Sequence, residues 1–400
     1  MQILKKTLYI LFKTVASVVM IAMMAVFATS VSPVYTFEGP KPFSGPHIYD
    51  PYSDFVPENG WKRANFHTHT RVESIFNECE YWPAEVYEAY RKFGYDIISF
   101  SNHNRLTEHP SDPELQINVY EHGYNLFKYH KLVFGSRRVN RFDHLLPIFT
   151  FQKQFQLDLL GKDCDFIQLN HPLRTIGTSR KQMQRLKGYR LMELDSGRST
   201  ENEYWDWALS AGHYCLGLAN DDLHYPDRTS RIAVRCSFIN SFDETYQEIG
   251  RTLLEGCHYS MRIPDYGNGD WDVKYSENQA LPAIYDIGLD DDVIYMVLSE
   301  KADSIKVTGQ DHACLATATD TDRIEYTMKP EDSYARLTAW FPDGEVIYTN
   351  PFARYDGAIS DGPFESPGYS INILLTVLWN LLLLMLLAGT ATLLVKTIRK

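Results

Sequence analysis

The 400-residue chain is short of positive charge. It carries 39 Lys and Arg against 51 Asp and Glu, a formal net charge of −12. Six of the basic residues (Lys5, Lys6, Lys13, Lys396, Arg399 and Lys400) flank two terminal apolar segments that contain no acid. With those six set aside, 33 basic residues remain against the 51 acidic ones, a balance of −18 for the part between. Such a surface repels nucleic acid and anionic lipid, so no nucleic-acid partner is expected. A small anionic substrate is still allowed, because bound cations invert the local potential. The six cysteines (Cys79, Cys164, Cys215, Cys236, Cys257 and Cys314) form no C-x-x-C pair. A structural zinc cluster is therefore not indicated, and the cysteines in or beside strand-like runs read as small core residues. The chain shows no internal repeat and no low-complexity tract.

The two terminal segments come out of the fold argument first. Thr14 to Val31 is uncharged and follows Lys5, Lys6 and Lys13, the layout of a signal peptide or a signal anchor over residues 1–31. Val26-Phe27-Ala28 offers a cleavage site, but the apolar run is long, which favours an anchor. Residues 371–395 are uncharged and long enough to cross a hydrocarbon core of about 30 Å as a transmembrane helix. Placing the basic flanks in the cytoplasm puts both ends inside and the middle outside, in the periplasm or extracellular space. The lipid bilayer is thus an expected partner.

Between the ends, residues 32–61 are rich in Pro, Gly and aromatics and read as a linker. Residues 62–260 alternate short apolar runs with helix-like segments. Pro83 to Gly94 is a helix pattern with proline at its start and glycine at its end. Further helices are expected over 142–160, 179–186, 201–211 and 243–255, with strands over 96–101, 166–170, 190–194, 214–219 and 232–239. This grammar predicts an α/β fold with a parallel sheet, closed into a barrel. After Gly256 the pattern changes to short strands split by Gly, Asp and Asn turns, including Phe341-Pro342-Asp343-Gly344-Glu345 between two apolar runs. A small all-β sandwich is expected over 261–365.

The chemistry-bearing residues gather at strand ends. Asn65-Phe66-His67-Thr68-His69, Ser99-Phe100-Ser101-Asn102-His103, Val119-Tyr120-Glu121 with His130, Leu169-Asn170-His171, and Asn220-Asp221-Asp222-Leu223-His224 follow one another along the chain. A single H-x-H is usually a pair of core histidines; five such segments are not. Imidazole and carboxylate are the donors that borderline divalent metals prefer. His67 and His69 alternate along a strand and share a face, as do Asp222 and His224. These candidates exceed what one tetrahedral ion needs, so two or three ions are expected, with a carboxylate such as Glu121 able to bridge. Such a cluster suits phosphoester hydrolysis.

The order of these motifs resembles the polymerase and histidinol phosphatase (PHP) family of metal-dependent hydrolases. That family's signatures are H-x-H, D-H, a bridging Glu, two His and D-x-H, and the resemblance spans Ala64 to Tyr225. Within it, Tyr204-Trp205-Asp206 through Asp222-Leu223-His224 looks most like the membrane-associated and secreted branch, which often carries a trailing β-domain. The resemblance implies a distorted (β/α)7 barrel. It also implies one ion on His67, His69, Glu121 and Asp222, a second on Glu121, His130 and His171, and a third on His103 and His224. Glu121, Asp222 and His224 are the expected catalytic set, and manganese, zinc or iron all suit the donors. Two departures stand out. Asn102 occupies the place of the usual aspartate before the histidine, and Glu78 is the residue available to replace another aspartate of the pattern.

Arg71, Arg105, Arg174 and Arg198 follow strand-end motifs; Arg174 and Arg198 are the candidates for binding a substrate anion. Glu193 and Asp195 end a strand and are read as structural or supporting groups. Trp205 and Trp207 read as core. The function expected is a membrane-anchored, outward-facing phosphoesterase acting on a small-molecule or glycan-derived ester. Its rivals are a carbamate or carboxylic ester hydrolase on the same site, and a metal-stabilised binding protein without catalysis.

Overall fold

Eight residues with no helix separate the strands Val119–His122 and Lys131–Phe134, and so short a return forces them to run antiparallel. They open a five-stranded sheet that continues through Phe166–Leu169, Leu191–Leu194 and Leu216–Ala219. Its first two ladders are antiparallel and its last two parallel. All five strands are buried along their whole length, which is why they read as apolar runs rather than alternations. The structure, a computed structural model, describes residues 2–74, 77–195, 202–357 and 362–399. Arg198 lies outside the described residues.

A second, eleven-stranded sheet starts from the parallel pair Lys62–Asn65 and Ile97–Ile98. Arg235–Ile239, His258–Arg262, Val346–Thr349, Tyr334–Trp340, Val293–Thr308 and Ile284–Asp290 follow in spatial order, joined antiparallel. Two single-residue parallel bridges, Thr68 to Leu223 and His103 to Glu121, tie the two sheets together. No continuous ladder closes a barrel among the described residues, and the sheets are mixed rather than parallel. Apolar runs give a strand's presence but not its direction, which the connection length sets.

The expected β-sandwich does not stand apart. Its strands extend the second sheet through the His258–Arg262 and Val346–Thr349 ladder. Ile287, Ile305 and Ile347 share one core cluster with Val86, Tyr90 and Ile98. Strand composition cannot say which free edge a strand will join.

Helix Pro83–Arg91 begins on a proline, and the Glu85 carboxylate accepts from the Trp82 amide at 2.7 Å, closing its first turn. Helix Thr150–Leu160 starts eight residues later than the sequence pattern suggests. Pro147 bars helical geometry at the residue before it, and 142–146 instead run beside 122–126, with the Tyr124 amide on Asp143 and the Leu126 amide on the Leu145 carbonyl.

Two helices, Gln2–Thr29 and Ile373–Arg399, are long and apolar enough to cross a membrane, and their side chains are mostly exposed. They pack side by side in opposite directions. Asn380 fastens them, donating to the Ser32 carbonyl at 3.0 Å and accepting from its amide at 3.3 Å. An antiparallel ribbon of Tyr35–Phe37 on Tyr369–Ile371 follows, and Tyr35 and Tyr369 both donate to Asp158 at 2.6 Å. The six cysteines are all unpaired.

Candidate metal centre

The strand ends bring their polar side chains to one point. Glu121 Oε2 lies 3.2 Å from both His67 Nε2 and His69 Nε2. Asp222 Oδ1 lies 3.2 and 3.3 Å from the same two nitrogens. Both nitrogens are buried without a hydrogen bond, so the carboxylates sit close but off the direction an N–H would need. Two donors each about 2.1 Å from a tetrahedral ion stand about 3.4 Å apart, the spacing seen here. Buried polar atoms without partners are rare and costly; a divalent cation between these four donors satisfies them all.

Two further groups adjoin this one. His103 Nε2 is 3.1 Å from Glu78 Oε2, with His69 beside them. His103 and His130 both approach Glu121, the latter with Nδ1 3.1 Å from Oε1. His171 Nε2 stands 3.4 Å from the same Oε1. Glu121 thus offers one oxygen to His67, His69 and His103 and the other to His130 and His171, the placement of a bridging carboxylate. His224 lies at the margin, its ring 4.3 Å from that of His69. Its Nδ1 donates to the Asp222 carbonyl at 2.8 Å, which leaves Nε2 for an ion.

Local backbone geometry aims these groups. His171 and Asp222 adopt left-handed φ values of 26° and 50°, strain of a kind concentrated at functional sites. Gly123 has φ 121°, and a Cβ there would meet the His130 ring at 3.0 Å, so only glycine lets the chain turn past this ligand. Glu193 Oε1 accepts from His67 Nδ1 at 2.7 Å and Oε2 from the His171 amide at 2.9 Å. A carboxylate on the far nitrogen fixes the imidazole with Nε2 free, the usual support of a metal-bound histidine. Asn170 donates to Glu121 Oε1 at 2.9 Å and accepts from the Leu132 amide at 3.1 Å.

Electrostatics show what the cluster demands. Burial opposes charge on His67, yet Glu121, Glu193 and Asp222 outweigh it and hold its pKa well above the ordinary value. Burial opposes charge on His69 too, but the adjacent Asp222 and Glu121 carboxylates raise it to about 9. Burial works against both carboxylates, and the imidazoles, led by His103 for Glu121 and by His67 for Asp222, keep them well below their usual range. Burial takes His103 down to about 3 and His224 to about 4, each helped by His69. Without an ion, the two carboxylates favour protons on His67 and His69.

Other residues expected at the site divide. Arg174 places its guanidinium on Asp222 and is partly exposed. Asp195 is turned away onto Arg235 at 3.2 Å and Arg262 at 2.9 Å. Asn102 does not face the donors: it accepts from the Thr70 amide at 2.8 Å and donates to the hydroxyls of Thr70 and Thr107 at 2.7 and 2.8 Å. Asp221, neighbour of Asp222, accepts from the amides of Ala233, Val234 and Arg235 and from Tyr90. Arg71 covers the Trp82 ring, and Trp205 is core.

A cavity of about 400 Å³ opens beside His103, lined by Glu73, Asn104, Arg105, Tyr124 and Arg141 among others. Sequence reasoning missed Arg141, which sits in an irregular stretch with no motif around it. Asn170 carried a usable signal, since it precedes a strand-end histidine.

No family model matches the chain, and no curated protein does. One solved structure is similar in part: a two-domain protein from Bacteroides vulgatus containing a predicted PHP-like metal-dependent phosphoesterase. It is 16% identical, with a TM-score of 0.38, and the match covers 79% of this chain and 100% of that one. A likeness of that degree decides nothing about chemistry, and the geometry of the site alone bears on function.

Proposed function

We propose that the chain is a metal-dependent hydrolase of phosphoesters, held at a membrane by its terminal helices. One observation carries the reading: side chains from five separated segments converge on Glu121, with His67 and His69 Nε2 buried and unsatisfied. The donors suit two or three divalent ions of manganese, zinc or iron. Such ions, when bound, polarise a phosphoryl oxygen and make water a nucleophile near neutral pH. The chain's own residues do the rest. Glu193 holds His67 in one tautomer, Asn170 fixes Glu121, and Arg174 steadies the outer oxygen of Asp222. Arg105 and Arg141 line the cavity, and among the described residues neither is ion-paired. Two free guanidiniums beside the donors favour a phosphoester over a carbamate or carboxylic ester, because they recognise a dianion or monoanion.

The distorted (β/α)7 barrel remains the architecture we propose for the two sheets taken together, supported by their two bridges at the site. The basic flanks support an outward-facing central part with the C-terminus in the cytoplasm. The test is turnover of a panel of phosphomonoesters, phosphodiesters and carboxylic esters by the full chain with added manganese or zinc. Phosphoester hydrolysis abolished by a chelator is expected. Turnover of carboxylic esters alone, or turnover untouched by chelation, would contradict the proposal.

A further inference from the structure

The mouth of the metal site is joined to the end of the N-terminal membrane helix by a short path. Tyr124 lines the cavity and donates to the His103 carbonyl at 3.2 Å. Two residues on, at most about 7 Å along the chain, the Leu126 amide donates to the Leu145 carbonyl at 3.2 Å. The Leu145 amide in turn donates to Thr29 Oγ1 at 3.3 Å, and His144 Nδ1 bonds the Thr29 carbonyl. On the other helix, Phe149 and Phe151 pack against Trp379, with ring centroids 5.5 and 5.4 Å away. Trp379 lies six residues inside Ile373–Arg399, about 9 Å beyond its first residue at 1.5 Å per residue. The globular part therefore reaches down alongside the apolar helices rather than hanging above them.

The surface at that level is apolar. Leu126, Ile148, Phe149, Leu173 and Ile176 are 43 to 64% exposed. They belong to one neighbourhood: the Ile176 amide donates to the Phe127 carbonyl at 2.8 Å, and Gln182 links the Ile148 carbonyl to the adjoining helix. Leu173 directly precedes Arg174, whose guanidinium rests on the donor Asp222. A cluster of large exposed apolar side chains marks an interaction surface. Its continuity with two helices of membrane length names the occupant, since a helix held in a bilayer would bring lipid to the face on which Phe149 and Phe151 lie.

We propose that this surface is embedded in the outer part of the bilayer, and that the site hydrolyses the phosphoester of a membrane lipid rather than a soluble ester. The substrate half rests on the hydrolase reading above. The cavity with Arg105 and Arg141 then receives an anionic headgroup from the membrane side. In the reaction the water oxygen forms a new bond to phosphorus. The bond from phosphorus to the leaving alcohol oxygen breaks with its electron pair on that oxygen, which takes up a proton from the water.

Two measurements on the reconstituted full chain test this. A nitroxide on Ile176→Cys, in a Cys164→Ser/Cys314→Ser background, is placed in phosphatidylcholine vesicles and probed with oxygen and an aqueous nickel chelate. Preferential access by oxygen is expected, while Tyr285→Cys, exposed on the β-strand region, should report water. Equal aqueous access at both positions would overturn the embedding. Turnover is then compared for phosphatidic acid and phosphatidylglycerol in the vesicles and for a water-soluble bis-aryl phosphate. Leu126→Glu/Ile176→Glu should cut lipid turnover at least tenfold and leave the soluble ester within twofold. Soluble turnover without lipid turnover in wild type, or an equal loss on both, overturns the lipid assignment. If wild type hydrolyses neither, the hydrolase reading itself fails and takes the lipid substrate with it, while the nitroxide still decides the embedding.

Discussion

Glu193→Gln removes one charge and almost no volume from a site it does not itself ligate. Glu193 Oε1 accepts from His67 Nδ1 and Oε2 from the His171 amide, both fully buried. A glutamine cannot serve both. With its oxygen toward His67, its NH2 faces the His171 N–H, donor against donor. A buried donor so stranded costs about 1–3 kcal/mol. In the other orientation the NH2 forces His67 Nδ1 to accept, and the ring proton moves to Nε2, the atom that faces the ion. Loss of such a supporting carboxylate lowers metal affinity by about 10–100-fold, or about 1.4–2.7 kcal/mol of binding. Competition against a chromophoric chelator measures this for zinc or manganese on the folded variant. An affinity within twofold of wild type would refute the orienting role of Glu193.

Asn102→Asp should leave the metal stoichiometry unchanged, because the side chain is committed to Thr70 and Thr107; a gain of one ion on elemental analysis would show that it reaches the site. Glu78→Gln should lower occupancy of the ion position it shares with His69 and His103, read as fewer ions per chain at limiting metal, and full retention would remove Glu78 from the site. Lys153 is buried, which lowers its pKa to about 8 from the 10.5 of a free lysine. The unfolded chain then holds the extra proton between those values, so stability rises with pH across about 8 to 10.5 and the penalty is complete below 8. Its size is roughly 3 kcal/mol. Lys153→Met should lose that rise in melts taken from pH 7 to 10.5, and parallel pH profiles for the two proteins would contradict it.

Much of the site could be read before the fold was known. Glu121 and Asp222 follow apolar runs and His67 and His69 follow the strand Lys62–Asn65, and a residue at the end of a buried strand has few places to point other than the site between strands. Asn102 stands in the place of the usual aspartate, yet position within a motif says nothing about the neighbours a side chain will meet; two threonine hydroxyls and an amide claim it. In the Asp221-Asp222 doublet only the left-handed backbone at Asp222 decides which carboxylate enters the site. The fold was legible as alternating elements, yet not as their directions. The turn after His122 makes its sheet mixed, and the ladder between His258–Arg262 and Val346–Thr349 merges the later strands with the earlier ones. Both are pairings between segments that carry no mark of each other in sequence.

Glu121 is expected to bridge ions held by histidines from separate strands. Elemental analysis of the purified full chain, wild type beside Glu121→Gln, His67→Ala and Asp222→Ala, tests it most directly. Glu121→Gln keeps the shape and removes the charge shared by His67, His69, His103 and His130. At least two divalent ions per wild-type chain are expected, with loss of at least one in each variant and the largest loss for Glu121→Gln. A wild-type chain without bound metal after incubation with zinc and with manganese, or a folded Glu121→Gln protein with wild-type metal content, would contradict it.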